Sequence, residues 1–167
     1  MADADLLDAL HAHEGIVCAV GAGGKKTTLY RLLRAHPGPA AVTTTVFTRK
    51  FPGDLPARPV IDQPDRIVAA VLAAARHSVK LAYACPSDKP GRYAGVLPAQ
   101  VVALLAEAGF ALTLVKADGA RMRLIKAPSD NEPCLVEGAA TVLALVSAHA
   151  IGLPLSSRHV HRPERVA

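Results

Sequence analysis

Residues Ile16–Thr28 read IVCAVGAGGKKTT, and the fold is decided by how that run is interpreted. Five apolar residues, Ile16 to Val20, predict a short buried strand. Gly21, Ala22, Gly23 and Gly24 follow, then Lys25, Lys26, Thr27 and Thr28, and then an amphipathic helix carrying Leu29, Leu32 and Leu33. Strand, glycine loop, lysine, hydroxyl and helix is an order that cradles a phosphate chain. Glycines let backbone N–H groups turn inward, the helix start adds positive potential, lysine neutralises charge and threonine can hold Mg²⁺. The spacing departs from G-x-x-x-x-G-K-[ST]: Lys25 precedes Lys26-Thr27 in place of glycine, and Lys26 follows Gly24-Lys25 in place of a hydroxyl. Read as a shorter G-x-x-G-K loop, Gly21 to Lys25 fits, with Lys25 favoured along the phosphates and Thr27 or Thr28 supplying the hydroxyl. The plain alternative is a ligand-free glycine turn, but four small residues running straight into KKTT favour phosphate.

Working outward, the N-terminal Asp3–His13 predicts a helix with Leu6, Leu7 and Leu10 on one face, ended by Gly15. After the loop helix, His36-Pro37-Gly38-Pro39 is a stop, and Ala40–Thr45 is a second strand ending in three threonines. Hydroxyls of Thr44 and Thr45 at a strand tip beside a phosphate loop would face a metal or an attacking water; ordinary threonine β-propensity explains them equally well. Val46–Pro59, with three prolines and Arg49, Lys50 and Arg58, reads as a basic loop able to cover a ligand. Asp65–Arg76 predicts a helix, Val79–Cys85 a strand, and Pro86–Leu97 an exposed loop whose Lys89 and Arg92 could reach an anion. Pro98 opens a helix through Ala108 with Gly109 as its cap. Phe110–Ala117 is an apolar strand, and Ala139–Ala148 one more buried strand.

Strands alternating with helices of about ten residues predict a single three-layer α/β domain over residues 1–167, with a mostly parallel sheet and helices on both faces, similar to a P-loop NTPase. Ligands of such sheets lie outside the carboxyl ends of the strands. Asp118, just past the Phe110–Ala117 strand, is thereby brought towards the glycine loop, where it can bind Mg²⁺. Gly119 and Ala120 leave the approach clear. Arg121, Arg123 and Lys126 beyond them could stabilise a transferred phosphoryl group, or form a solvated basic face.

Composition narrows the function. The chain of 167 residues carries net charge +5 but only 4% aromatic residues, so phosphorylated small molecules are favoured over nucleic acid, which needs stacking platforms. Three cysteines without C-x-x-C spacing argue against a disulfide framework and a structural zinc site. No basic-then-apolar leader is visible, and Thr141, Ser147 and His149 interrupt the most apolar run, so a cytoplasmic protein without a membrane span is expected. The pair His11/His13 is poorly spaced for metal on a helix, and His159/His161, in an Arg-rich tail, could bind one only if extended.

Four separated segments, VGAGGKKTT, TTTVFTRK, ADGARMRLIKAPSDNEP, and IGLPL with VHRPERVA, resemble the YqeC family. The resemblance spans most of residues 15–165. It implies an accessory role in maturing selenium-dependent molybdenum hydroxylases, also described as selenium cofactor biosynthesis, with Mg²⁺ and ATP or GTP as cofactors. Carried over by residue, it implicates Gly21, Gly23, Gly24, Lys25, Thr27, Asp118, Gly119, Lys126 and Glu132. Two roles are compatible with it: an NTPase or nucleotide-dependent transferase using Lys25, Thr27, Asp118 and Arg121 or Lys126, and a non-catalytic assembly factor using the loop as a nucleotide sensor. Three departures bear on the choice. Lys26 stands where the family has threonine, Lys116 replaces a glutamate, and family members continue past the VHRPE segment. No N-K-x-D guanine-reading segment is present, so the base, the hydroxylase partner and the oligomeric state stay open.

Overall fold

The computed structural model describes residues 3–166. In chain order the elements are α1 (Asp3–Ala9), β1 (Gly15–Gly21), α2 (Lys25–Ala35), β2 (Ala40–Thr44), β3 (Thr48–Arg49), β4 (Arg58–Ile61), α3 (Ile67–Ala75), β5 (Lys80–Ala84), β6 (Arg92–Tyr93), α4 (Pro98–Glu107), β7 (Leu112–Lys116), β8 (Ile125–Lys126), β9 (Thr141–Leu145) and β10 (Val160–His161).

A strand that is apolar on both faces needs cover on both. Residues alternate between the two faces of a strand, so β1 sends Ile16 and Cys18 to one core and Val17 and Ala19 to the other. The first core is closed by α3 and α4 through Ile67, Val71, Val101 and Leu104; the second by α1 and α2 through Leu6, Leu7, Leu29, Leu32 and Leu33. Each leucine so buried contributes roughly 1.5–3 kcal/mol. The result is the expected three-layer α/β architecture. Six strands in the order β4-β5-β2-β7-β1-β9 make the central sheet, and every pairing in it is parallel.

Register sets the site. Ala19 pairs with Lys116, and Thr44 pairs with the same Lys116 from the other side, so β1, β7 and β2 finish level with one another. The glycine loop, Asp118 and the segment after β2 therefore emerge at one end of the sheet.

Several expectations are corrected. The first helix ends at Ala9 rather than His13. Val46–Pro59 is not simply a loop: Thr48–Arg49 pairs antiparallel with Arg92–Tyr93, which lies inside the other expected loop, and Arg58-Pro59 opens β4. Proline is tolerated there because β4 is an edge strand, with one side needing no ladder donor. Ala139–Ala148 is likewise not a fully buried strand. Its structured part, β9, is the opposite edge. Leu143 and Leu145 pack on the α1–α2 core while Val142 and Ala144 face out. Among the described residues no helix is long and apolar enough to cross a membrane, and no group of His, Cys, Asp or Glu is arranged to hold a metal ion. All three cysteines are free thiols.

A cationic cavity at the strand ends

The glycines of the loop serve two purposes. Gly21 and Gly23 have φ of 89° and 72° and lie under the chain that leaves β9. A Cβ on Gly21 would stand 2.3 Å from the Leu145 carbonyl oxygen, and one on Gly23 would stand 2.4 Å from Ser147 Cβ. Ala22, fully buried, donates its N–H to Leu145 O at 2.7 Å. These three residues seat the end of β9, and of them only Gly23 also lines the cavity described below. Gly24 differs: with φ 98° it caps α2, makes no side-chain cap bond and has open space where a Cβ would be. The first helical bond runs from the Thr28 N–H to Gly24 O at 2.9 Å, so the amides of Lys25, Lys26 and Thr27 have no partner within the helix.

Lys25 is only 7% exposed. Its ammonium stands 2.9 Å from Asp118 Oδ1 and donates to the Gly21 carbonyl. Asp118, 3% exposed, takes the Gly21 N–H on Oδ2 at 2.8 Å and Lys126 Nζ on the same oxygen at 3.0 Å. Oδ1 is charge-compensated by Lys25 yet receives no well-directed hydrogen bond from it, so that contact is an ion pair only. Lys126 bridges on to Glu132 Oε2 at 2.8 Å, and Glu132 also holds Arg162 at 3.2 Å and the Gly119 N–H at 3.4 Å. Burial works against the Glu132 carboxylate, but Lys126 and Arg162 together hold it below the usual carboxylate range. Arg162 adopts φ 65°, and its guanidinium also reaches the Ala127 carbonyl at 3.0 Å.

In front of this network opens a cavity of about 380 Å³. Among the described residues lining it are seven cations (Lys25, Lys26, Arg49, Arg92, Lys116, Arg121 and Arg123) and no carboxylate. Lys116 donates to Phe47 O at 2.9 Å; burial, then the nearby Lys25, pushes its ammonium down to about 8, with Asp118 opposing and Lys126 and Lys26 adding to the shift. Burial, then Arg49 and Arg92, also lowers Lys26.

The candidate residues thus divide. Gly23, Gly24, Lys25, Lys26 and Arg121 line the cavity, and Asp118 stands behind Lys25. Lys126 is buried between two carboxylates and, like Glu132, lies outside the lining. Thr27 is exposed, and neither it nor Thr28 lines the cavity. The threonine hydroxyls at the end of β2 are tied to backbone: Thr44 Oγ1 stands 2.7 Å from Val46 O and 3.0 Å from Lys116 O, either of which can accept its one hydrogen, and Thr45 donates to Cys134 O at 2.7 Å. Strand propensity and interstrand bonding account for them. Arg162 is the participant that sequence reasoning did not single out. It belongs to the VHRPERVA segment, and only the pairing of β10 with β8 brings it to Glu132.

A parallel α/β sheet bearing a cation-lined cavity at its strand ends, against a glycine-capped helix start, defines a three-layer α/β protein of this type. More narrowly, the chain belongs to the YqeC protein family, which matches residues 17–164. It is 31% identical over 154 residues to a protein of Escherichia coli (strain K12) described as "Uncharacterized protein YqeC". That match covers 88% of this chain but 57% of the relative, so the chain spans little more than half the relative's length. No solved structure matches it.

Proposed function

We propose that this protein binds a nucleoside triphosphate, ATP or GTP, with Mg²⁺, in the manner of a P-loop NTPase, and that it serves the maturation of selenium-dependent molybdenum hydroxylases. The observation that carries the nucleotide reading is the carboxylate-free lining beside the glycine loop, with Lys25, Lys26 and Arg121, met by the amides of a helix N-terminus that have no partner within the helix. In this reading the phosphates lie over Gly24, Lys25 and Lys26, and Arg121 compensates charge at the far end of the chain. The maturation role rests on the family resemblance alone.

Asp118 suits Mg²⁺ as a buried, anionic oxygen donor whose Oδ1 has no directed hydrogen bond. Mg²⁺ typically takes one or two carboxylates and fills its remaining positions with phosphate oxygens and water. One carboxylate is therefore enough if the ion arrives with the nucleotide. Thr27 would have to approach from outside the cavity to join it. Bound Mg²⁺ would supply charge neutralisation at the phosphates. The protein's own contribution is to hold Asp118 in place through Gly21 and Lys126 and to release Lys25 towards the ligand.

The second reading, a nucleotide-sensing factor without turnover, is favoured by one feature: both Asp118 oxygens already face lysines, and no carboxylate lines the cavity to serve as a general base. Calorimetric titration of ATP–Mg²⁺ and GTP–Mg²⁺ into wild type, Lys25→Ala and Lys26→Ala tests binding. A charge-assisted contact of about 1.5–3 kcal/mol predicts a roughly 10- to 100-fold loss for Lys25→Ala. Equal affinity in all three proteins would remove the loop from the site. Phosphate release that is lost in Asp118→Asn identifies an enzyme; binding without release identifies the sensor.

A further inference from the structure

Five of the seven cations lie outside the glycine loop, and two of these form a pair. Arg49 and Arg92 are direct cross-strand partners in the two-residue β3–β6 ribbon. Like charges placed opposite one another weaken a strand pair. Among the described residues neither has a carboxylate within ion-pair distance, so no counter-charge in the described fold offsets that cost. Both are exposed and both line the cavity.

The ribbon is anchored rather than loose. Thr48 is 3% exposed, the Phe51 and Tyr93 rings meet at 5.4 Å with a tilt of 41°, and Lys50 N–H donates to Gly91 O at 3.2 Å. Chain position also separates the arginines from Lys25. β3 follows β2, and β6 follows β5, whereas the glycine loop follows β1 on the other side of β7. Neighbouring strands lie about 4.8 Å apart, so the ends of β1 and β2 are roughly 10 Å apart and β5 is farther still. Lys26 is the loop cation that feels the ribbon: after burial, Arg49 and Arg92 lower its ammonium.

We propose that the cavity receives two anions at once: a triphosphate at Gly24–Lys26, and a separate small oxyanionic cosubstrate, of the phosphate class, clamped between Arg49 and Arg92. The proposal rests on the nucleotide reading for its first anion and on the ribbon for its second. Two arginines presenting planar forks suit an oxyanion better than two lysines would. Held there, the second anion faces the triphosphate across Lys26 and Lys116.

The test is calorimetric titration of inorganic phosphate into the full chain, alone and saturated with a non-hydrolysable ATP analogue and Mg²⁺. Wild type is compared with Arg49→Ala, Arg92→Ala and Lys25→Ala, whose folding is checked by circular dichroism. We expect phosphate to bind the nucleotide-saturated protein once. Either arginine variant should weaken that binding about tenfold or more while changing nucleotide affinity less than about threefold. Lys25→Ala should do the reverse. Exclusion of phosphate by the nucleotide, with both arginine variants weakening the nucleotide as Lys25→Ala does, would show one ligand spanning all the cations and overturn the proposal. Phosphate binding that needs Arg49 and Arg92 in a protein with no nucleotide affinity would instead sustain the ribbon site and remove the nucleotide reading. Phosphate that binds in neither condition overturns the ribbon site.

Discussion

Replacing Asp118 by asparagine should make the protein less stable and, without metal, a better anion binder. The carboxylate collects the Gly21 N–H at 2.8 Å and Lys126 at 3.0 Å on one oxygen, and faces Lys25 at 2.9 Å with the other. Asparagine keeps one acceptor oxygen, which the two donors on the Oδ2 side will hold. Its amide nitrogen is then turned against the Lys25 ammonium, a donor facing a cation. Breaking a buried ionic cluster in this way costs about 3–5 kcal/mol. At a urea slope of about 1–3 kcal/mol per molar, the unfolding midpoint should fall by more than about 1 M. Lys25, no longer held by a carboxylate, becomes available to phosphate. A charged contact of about 1.5–3 kcal/mol predicts a roughly 10- to 100-fold gain in affinity for metal-free ATP. With Mg²⁺ present the gain should shrink or reverse, because the metal's carboxylate is gone. Calorimetry of ATP in EDTA and in Mg²⁺, on wild type, Asp118→Asn and Asp118→Asn/Lys25→Ala, reads all of this. A variant that binds metal-free ATP no more tightly than wild type would refute the view that Asp118 holds Lys25 back.

Substituting alanine along the loop should separate seating from ligand contact. Gly21→Ala must push against the Leu145 backbone and lose about 2–5 kcal/mol by thermal or urea unfolding, whereas Gly24→Ala, with open space at its Cβ, should lose only about 1–2 kcal/mol from its left-handed backbone while weakening ATP binding. The pH response should carry the mark of Lys116, which faces Lys25, Lys26 and Lys126 with only Asp118 opposing them. Its folded value near 8 lies below the 10.5 of a free lysine, so between those values the unfolded chain binds more protons and stability rises with pH. The rise should be about 1–3 kcal/mol in urea melts between pH 7 and 10 and should be smaller in Lys116→Met, where the lowered Lys26 still contributes. Phosphate binding at pH 8.5 should likewise take up protons, measured by calorimetry in buffers of different ionisation enthalpy, and Lys116→Met should remove that uptake.

What could be read in advance was what is local or follows from parallel topology. Ile16–Val20 is apolar on both faces, and the Gly-Lys run ends it abruptly, so strand, loop and helix were visible within thirteen residues. Asp118 could be placed because parallel strands end together, and register confirms it. The contents of the expected loops were hidden by their brevity: two residues are too few for any periodicity, so β3 and β6 left no trace. Thr44 and Thr45 could not be assigned, because their hydroxyls are claimed by Lys116 and Cys134 carbonyls far along the chain. Arg162 was invisible for the same reason, since its partner Glu132 lies 30 residues away and meets it only through β8 and β10.

The glycines were legible as a loop but not in their division of labour, and that division changes what the site is. Gly21, Ala22 and Gly23 are committed to the end of β9, and the Gly21 and Ala22 amides are already bonded to Asp118 and Leu145. A phosphate loop normally wraps its ligand in successive amides; on the proposed nucleotide reading the wrap here would begin only near Gly24 and the first turn of α2. Fewer amides must be offset by side-chain charge, and the cavity provides it in Lys26 beside Lys25 and in Arg121 and Arg123 opposite. Lys26 in place of a hydroxyl is then no defect of the motif. On the proposed nucleotide reading it exchanges a metal ligand for a cation, which would weight the site towards the phosphate itself and leave Asp118 as the carboxylate for magnesium.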